Sequence, residues 1–300
     1  MMLPSMNSIK PNNMYAFHSS HQGASHKRKG LVCQDSAFSR FKSNDRYAIA
    51  IVSDGHGGKN YFRSDRGSRL AVETAYKSVR GFMENFMKPT SSKDLLSELC
   101  SNPDKFMRQL EANILYHWLE KTADDYRCNP FTEAELALMD DDFRRKYESA
   151  PDKRYVKAYG ATLIAVVIMP GQFWFGLHIG DGKCVAYHPD GTFCQPLPWD
   201  DKCFLNVTTS LCDENPLPEF RHCFHTEWFP TAIFVGSDGI DDCFASDHDL
   251  YNFYLEVVTT FKEKSCKEAF AEIDSFLPLM SERGSGDDIS LSGIITEVQR

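Results

Sequence analysis

The chain has 300 residues, of which 42% are hydrophobic, so it is long enough to bury a substantial core in one sizeable domain. Its formal net charge of −9 disfavours general nucleic-acid binding, because no basic face stands out beyond residues 27–29. No apolar run approaches a membrane span, and the N-terminus lacks a signal-peptide core, so we expect a cytoplasmic protein that binds neither nucleic acid nor membranes. The ten cysteines include no CxxC pair, which disfavours a zinc knuckle or a redox motif.

The first informative element is a predicted strand at residues 47–52, which is apolar and rich in β-branched side chains. Asp54 lies just after the end of this strand, and Gly55 follows it within the sequence SDGHGG. A carboxylate that leaves a core needs a partner that offsets its desolvation, and a divalent cation is one such partner. An Asp-Gly pair alone more often marks a simple turn, so the motif needs support from elsewhere in the chain.

Helical and then strand-like patterns follow. The apolar stripe in residues 61–86 predicts one helix, and the charged segment from about residue 89 to residue 153 predicts a helical insertion. Residues 159–193 change to short β-branched and aromatic runs between glycine-containing turns. This texture is typical of a meander of antiparallel strands.

The last third of the chain predicts a flap and two more helices. Residues 194–230 contain five prolines and irregular polarity, which indicates a surface loop or flap beside the functional site. Amphipathic patterns at residues 250–261 and 269–277 predict two helices before a final strand. We therefore expect an α+β fold, a four-layer α/β/β/α sandwich in which two antiparallel sheets pack face to face with helices outside.

Aspartates recur beside the predicted strands. The apolar run 232–235 leads into a motif that contains Asp238, and near the C-terminus Asp287 precedes the strand 289–295. In an antiparallel sheet the start of one strand lies beside the end of its neighbour. Asp54, Asp238 and Asp287 are therefore expected to meet at one rim of a sheet.

Three further aspartates support the same site. Asp181 follows an apolar run, Asp242 lies one turn after Asp238, and Asp35 stands just before the first strand region. Clustered carboxylates without a thiolate or imidazole set suit Mg²⁺ or Mn²⁺ better than zinc. Such a site suits phosphoryl hydrolysis, because paired ions lower the pKa of a bridging water and neutralise the transferring group.

Taken in order, these motifs resemble the PPM-type, or type 2C, metal-dependent serine/threonine protein phosphatases, in particular their compact bacterial members. The resemblance covers roughly residues 20–297, which leaves residues 1–19 as an N-terminal extension. The motifs that carry it are QDS at 34–36, SDGHGG at 53–58, YGATL at 159–163, HIGDG at 178–182, SDGIDD at 237–242 and GDDIS at 286–290.

The resemblance implies hydrolysis of phosphoserine or phosphothreonine on proteins by a water that bridges two Mg²⁺ or Mn²⁺ ions, without a covalent phosphoenzyme. It implies that His56 protonates the leaving group, and it implies a signalling role with a phosphoprotein substrate and a partner serine/threonine kinase. The ligands that it implies for the two central ions are Asp54, Asp238, Asp287 and the Gly55 carbonyl. The ligands that it implies for a third, weaker ion are Asp181 and Asp242.

Three positions depart from the family pattern. Asp241 stands where tryptophan is common and suggests no function, whereas the other two bear on the predicted site. Gln34 stands where many members have a metal-binding glutamate, so the second ion is expected to be held through water, by Asp35, or more weakly. Gly30 stands where many members have an arginine that clamps the substrate phosphate. The predicted substitutes belong to a basic run that could also be only a solvated surface: Lys27, Arg28 and Lys29.

Two alternative functions stay open. A catalytically weak member that binds phosphoproteins would explain Gln34 and the missing arginine. A phosphatase of a non-protein phosphoester is also compatible, because no substrate pocket can be identified in the sequence. The cluster HCFH, with His222 and His225, lacks a second pair of ligands, so structural roles are expected for it.

Overall fold

The computed structural model describes residues 14–42, 46–87, 92–203 and 207–296. Within these ranges two five-stranded antiparallel sheets pack face to face and helices cover both outer faces, so the predicted four-layer α+β sandwich is confirmed. The strands are β1 (Tyr15–His21), β2 (Ser36–Arg40), β3 (Ala48–Ser53), β4 (Leu163–Met169), β5 (Phe173–Ile179), β6 (Lys183–Tyr187), β7 (Phe193–Cys194), β8 (Arg221–His225), β9 (Ala232–Gly236) and β10 (Ile289–Ile295).

Ten α-helices and two short 3₁₀ helices complete the part of the chain that is described. The 3₁₀ helices are Tyr155–Tyr159 and Leu217–Glu219. The α-helices are α1 (Ala24–Lys29), α2 (Ser64–Met87), α3 (Ser92–Ser101), α4 (Pro103–Cys128), α5 (Glu133–Leu138), α6 (Asp141–Ser149), α7 (Pro151–Arg154), α8 (Asp238–Asp241), α9 (Asp247–Glu263) and α10 (Cys266–Arg283).

The strands that carry the aspartate motifs are internal strands. The first sheet has the order β1-β10-β9-β6-β7, and the second has the order β2-β3-β4-β5-β8. In the first sheet, β1 pairs with β10 along its whole length, from Tyr15 opposite Ile295 to His21 opposite Ile289. Every residue of β3 and of β10 is buried, so the loops at the ends of these strands start from fixed positions.

The core lies in three layers. Ala48, Ala50 and Val52 of β3 face the other sheet, whereas Ile49 and Ile51 face the helices over the second sheet. This alternation is the two-residue period of a strand. Because both faces are covered, the strand reads as one continuous apolar run in the sequence.

Helices α2 and α4 pack on the second sheet, and α9 and α10 pack on the first. The two C-terminal helices extend beyond their predicted ranges, because Ser246 and Ser265 cap their N-termini through hydrogen bonds to backbone N–H groups. Among the described residues, no helix has both the length and the apolar character that crossing a bilayer would require.

Arg63 ties the start of α2 to the helical segment α4–α7. Its side chain is only 3% exposed and donates to both carboxylate oxygens of Glu135, from Nε at 2.6 Å and from Nη2 at 2.9 Å. It also donates to the carbonyl of Asn129 at 2.6 Å and to the hydroxyl of Tyr159 at 2.8 Å. Tyr159 in turn donates to Asp125 at 2.6 Å. The hydrogen bonds of the buried guanidinium therefore hold this helical segment to the rest of the domain.

The predicted meander at residues 159–193 is divided between the sheets, which the sequence pattern did not indicate. Strands β4 and β5 belong to the second sheet, whereas β6 and β7 belong to the first. The chain crosses between the sheets at Gly180, whose φ of +118° favours glycine and whose absent Cβ would lie 2.4 Å from Cβ of Thr162. Local propensity predicts strands but not their partners, and this crossing is what brings Asp181 between the two sheets.

Two predicted boundaries also differ from the structure. The expected N-terminal extension, residues 1–19, overlaps β1, and its residues 1–13 lie outside the described residues. Within the expected flap, residues 194–230, β8 forms an edge strand that pairs with β5. Polar side chains such as His222 hide the strand pattern of β8. Residues 88–91 near the helical insertion and 204–206 of the flap lie outside the described residues.

β8 carries His222 into contact with α4. Its Nδ1 lies 2.7 Å from Oε1 of the fully buried Glu111, and its Nε2 lies 3.2 Å from Oδ1 of Asp104. Arg108 donates to the other carboxylate oxygen of Glu111 at 2.9 Å. The hydrogen bond to Glu111 is the largest of the effects that raise the pKa of His222. The expectation of a structural role for this histidine fits these contacts.

We expect the contribution of His222 to stability to fall as the pH rises. The folded-state pKa is raised above the unfolded value of about 6.5, so the contribution is complete below that value and disappears as the pH passes through the raised pKa. His222→Gln should lower the free energy of unfolding by about 1 kcal/mol at low pH, and the difference should shrink at high pH. Urea unfolding of both proteins across this range measures it, and a constant difference would contradict the prediction.

Candidate active site and metal centre

The end of β3 holds the first predicted motif in a fixed position. The backbone N–H of Asp54 donates to Oγ1 of Thr162 at 3.1 Å, and the carbonyl of Asp54 accepts from the N–H of Thr162 at 2.8 Å. Gly55 then forms an isolated bridge with Ala161. A Cβ on Gly55 would lie 2.5 Å from the carbonyl oxygen of Gln34, so the close contact between these two loops requires glycine.

The first sheet supplies Asp238 and Asp287. Asp238 follows β9 and opens α8, Asp287 precedes β10, and the two strands are antiparallel neighbours with Gly236 opposite Leu291. Asp54, however, follows β3 of the second sheet. The prediction of a single sheet rim is therefore wrong, because the three aspartates come from the ends of strands in two facing sheets.

The other three predicted carboxylate ligands come from three different parts of the fold. Asp181 lies at the crossing between the sheets, directly after Gly180. Asp242 follows α8, and its N–H donates to the carbonyl of Asp238 at 2.8 Å, which places it one turn further along. Asp35 immediately precedes β2 and is only 8% exposed.

These residues line one cleft with a cavity volume of about 690 Å³. It contains every predicted metal-binding residue and the predicted acid: Asp35, Asp54, Gly55, Asp181, Asp238, Asp242, Asp287 and His56. Lining residues that were not predicted include His26, Tyr61, Thr162, Val207, Thr208, Ser210, Asp213 and Asp288. Asp213 and its neighbours belong to the segment predicted as a flap, but no motif distinguished them within it.

Several carboxylates in the cleft are destabilised in their charged form. Burial, followed by the nearby charges of Asp238 and Asp35, raises the pKa of Asp54 well above its usual value. Burial and neighbouring carboxylates raise the pKa of Asp238 to about 6, and burial is also the main cause of the raised pKa of Asp35 and Asp181. Like charges have been brought together here, and the hydrogen bonds and more distant cations of the described residues offset their repulsion only in part.

A divalent cation fits this arrangement. Among the described residues that line the cleft there is no lysine or arginine, and every charged side chain other than histidine is a carboxylate. Oδ2 of Asp35 is buried and has no hydrogen-bond partner among the described residues. Unpaired carboxylate oxygens are the donor set of Mg²⁺ and Mn²⁺, and bound cations would offset the repulsion that raises these pKa values.

His56 is held close to the carboxylates by its own backbone. Its N–H donates to the carbonyl of Gly160 at 3.0 Å, and its ring meets the ring of Tyr61 edge to face, with the centroids 5.1 Å apart. Burial and then the charge of Lys157 lower the pKa of His56 to about 4. The imidazole is therefore neutral near pH 7 when the cleft is free.

Gln34 and Asp288 line the cleft and form hydrogen bonds that hold the neighbouring loops together. The side-chain amide of Gln34 donates to Oγ of Ser64 at 2.6 Å and to the carbonyl of His56 at 3.3 Å. Asp288 is 3% exposed and accepts from the N–H groups of Gly23 and Gln34, each at 2.6 Å. The doubled aspartate of the GDDIS motif was the available signal for Asp288, which ties the segment before β2 to the start of β10.

His26, on α1, faces the same aspartates. Its Nδ1 lies 2.9 Å from Oδ1 of Asp288, and ligand atoms of His26, Asp287 and Asp288 lie within 4.8 Å of one another. Both oxygens of Asp288 already accept backbone hydrogen bonds. We therefore assign His26 a supporting contact to the Asp287–Asp288 loop.

The predicted phosphate-binding run lies on α1 and does not line the cleft. Lys27, Arg28 and Lys29 are exposed, and α1 ends at Gly30 with a φ of +67°. Nη2 of Arg28 lies 4.0 Å from where a Cβ on Gly286 would be, which places this run beside the loop that carries Asp287. Phosphate binding by these three residues stays a prediction.

The same fold occurs in solved structures of bacterial proteins. One is "PppA, a key regulatory component of T6SS in Pseudomonas aeruginosa", with 15% identity, a TM-score of 0.56, and coverage of 96% of this chain and 99% of that chain. Another is serine/threonine phosphatase Stp1 from Staphylococcus aureus, with 12% identity, a TM-score of 0.56 and 96% coverage of both chains. The S. agalactiae serine/threonine phosphatase has 17% identity and a TM-score of 0.51, with coverage of 95% and 100%. At these identities the likeness shows the fold.

Comparison with curated protein sequences gave no significant match. The family model described as protein phosphatase 2C, in contrast, matches residues 22–277, which include β3, the helical insertion, β9 and most of the cleft. The fold and the order of the motifs agree with that match. The chain therefore belongs to the protein phosphatase 2C family.

Proposed function

We propose that the protein hydrolyses phosphoserine or phosphothreonine on other proteins, using Mg²⁺ or Mn²⁺. The observation that supports this most strongly is the convergence of aspartates from both sheets in one cleft, without a lysine or arginine among its described lining residues. A cytoplasmic location and a partner serine/threonine kinase remain predictions from the sequence.

When bound, the ions would activate a water and neutralise charge on the transferring phosphoryl group. The raised pKa values of Asp54 and Asp238 support their role as ligands, because cation binding would relieve the repulsion between them. The proposed ligands for the two central ions are Asp54, Asp238, Asp287, the Gly55 carbonyl and Asp35. Asp181 and Asp242 are the proposed ligands for a third, weaker ion.

His56 is the proposed acid for the leaving serine or threonine oxygen. Burial and the charge of Lys157 hold the ring neutral in the free cleft. A phosphate dianion beside the ring favours the protonated imidazole and so opposes both effects. The hydrogen bond from the His56 N–H to the carbonyl of Gly160 keeps the loop that carries the proposed acid in place.

The second candidate function is a catalytically weak phosphoprotein-binding protein. The observation that favours it is the side chain of Gln34, which is engaged with Ser64 and the His56 carbonyl. An amide also carries no charge with which to hold a second ion. A non-protein phosphoester is the third possible substrate class.

The primary test is phosphate release from a phosphothreonine peptide. We expect release with Mn²⁺ or Mg²⁺ and complete loss in EDTA, with recovery when excess Mn²⁺ is restored, because the proposed ions activate the attacking water and no lysine or arginine is among the described residues that line the cleft. A panel of small phosphoesters assayed alongside identifies the substrate class. Undiminished activity in EDTA would overturn the metal assignment.

Calorimetric titration with Mn²⁺ separates an enzyme from a binding module. We expect uptake of two ions by the wild-type protein and a weaker response from Asp238→Asn. A protein that binds phosphopeptides but takes up no Mn²⁺ at millimolar concentrations would favour the second candidate.

A further inference from the structure

We propose that Lys157, supplied by the helical segment between α7 and β4, binds the substrate phosphate at the His56 side of the cleft. This inference rests on the proposed function. It assigns the phosphate-binding cation to a part of the chain distant in sequence from the basic run on α1, and it makes Lys157 a determinant of affinity for phosphorylated substrates.

Lys157 lies beside a residue that lines the cleft. It belongs to the 3₁₀ helix Tyr155–Tyr159, and its Nζ lies 5.6 Å from the ring centroid of Tyr61 and 5.8 Å from that of Phe143. The ring of Tyr61 in turn contacts the ring of His56. The ammonium group is therefore one aromatic ring away from the proposed acid.

Short backbone contacts fix the position of this helix relative to His56. The N–H of His56 donates to the carbonyl of Gly160 at 3.0 Å, and the N–H of Arg63 donates to the carbonyl of Ala158 at 2.9 Å. A Cβ on Gly160 would lie 2.6 Å from the ring of Tyr61 and 2.7 Å from the ring of His56. The chain that carries Lys157 is thus packed directly against the loop that carries His56.

The charge of Lys157 is only partly offset by the nearby carboxylates of Asp140 and Asp213, on whose pKa values it has a lowering effect. It forms no ion pair and no side-chain hydrogen bond with any residue in the described part of the chain, apart from the two cation–π contacts. Its charge reaches the cleft, since it opposes the burial that raises the pKa of Asp213, a residue that lines the cleft. A cation that has no ion-pair partner among the described residues and lies next to a cleft for anionic substrates has an evident ligand in the phosphate itself.

The energies favour movement of the ammonium group to the phosphate. A cation–π contact is generally weaker than a charge-assisted hydrogen bond to a phosphate oxygen. The flexible four-carbon stem of lysine allows this exchange without a change of the backbone. Gly30, at the position of the expected arginine, offers no side chain, and the exposed run on α1 does not line the cleft.

The test compares Lys157→Met and Lys157→Arg with the matched control Lys153→Met, which replaces an exposed lysine on the neighbouring helix α7. We measure KM and kcat for a phosphothreonine peptide with Mn²⁺, and the inhibition constant of inorganic phosphate. For Lys157→Met we expect KM and the inhibition constant to rise about tenfold, which corresponds to about 1.4 kcal/mol. Lys157→Arg should stay within about threefold of wild type, and Lys153→Met should be unchanged.

Two outcomes would overturn the proposal. In the first, Lys157→Met retains the wild-type KM and phosphate inhibition constant, or alters only kcat and the melting temperature, as a purely structural contact to Tyr61 would. In the second, replacing Lys27, Arg28 and Lys29 together by methionine weakens phosphate binding while Lys157→Met does not. If the wild-type protein releases no phosphate, the proposed function fails, and calorimetric binding of inorganic phosphate to the Mn²⁺-loaded proteins still decides the role of Lys157.

Discussion

Asp238→Asn should reduce metal-dependent phosphate release by on the order of 10³-fold while leaving the fold intact. Asparagine has nearly the same shape but lacks the charge that would hold the ions. The same substitution should raise the melting temperature of the metal-free protein. Burial and neighbouring carboxylates raise the folded pKa of Asp238 to about 6, so its ionised form opposes folding at neutral pH.

The measurement combines steady-state kinetics with thermal unfolding in EDTA. Asp201→Asn is the matched control, because Asp201 is exposed and does not line the cleft, and it should change neither quantity. Asp54→Asn and Asp287→Asn should behave like Asp238→Asn in the kinetic assay. Retention of wild-type activity by Asp238→Asn would show that the carboxylates are not the metal centre.

The second large effect is expected for Arg63→Met, which should lower the free energy of unfolding by about 3 kcal/mol. The guanidinium is 3% exposed, and its removal leaves the Glu135 carboxylate and the Asn129 carbonyl without their donor. Arg66→Met is the control, because Arg66 is 35% exposed and forms one ion pair, with Asp125 at 3.1 Å. It should cost less than about 1 kcal/mol.

A double variant separates the lost ion pair from lost packing. Adding Glu135→Met to Arg63→Met removes the unpaired carboxylate and should recover part of the loss. Urea unfolding of the wild type, Arg63→Met, Glu135→Met and the double variant gives the coupling free energy between Arg63 and Glu135. A double variant that is no more stable than Arg63→Met would contradict this account.

The layers of the fold and the aspartates of the cleft could be predicted from the sequence because both depend on local patterns. Apolar runs such as residues 47–52 mark internal strands, and an aspartate directly after such a run has its position fixed by the strand. Asp54, Asp181, Asp238 and Asp287 were found in this way, and the structure brings them into one cleft.

What the sequence did not predict depends on which distant segments meet. Nothing near Asp181 indicated that β5 and β6 lie in different sheets, because strand propensity does not specify the partner of a strand. Lys157 was missed for the same reason: in sequence it is one lysine of a charged helical insertion, and only the contact between Gly160 and the His56 loop places it by the cleft. The backbone ties made by Asp288 are likewise visible only in the fold.

The pairing of β1 with β10 affects how the chain folds during its synthesis. Tyr15 lies opposite Ile295, so this ladder closes a loop of nearly the whole described chain. Contacts between residues so far apart in sequence slow folding, because the ends of the loop must find each other before the pairing stabilises them. Asp287 lies two residues before β10, so the aspartates that line the cleft can come together only after most of the described chain has been synthesised.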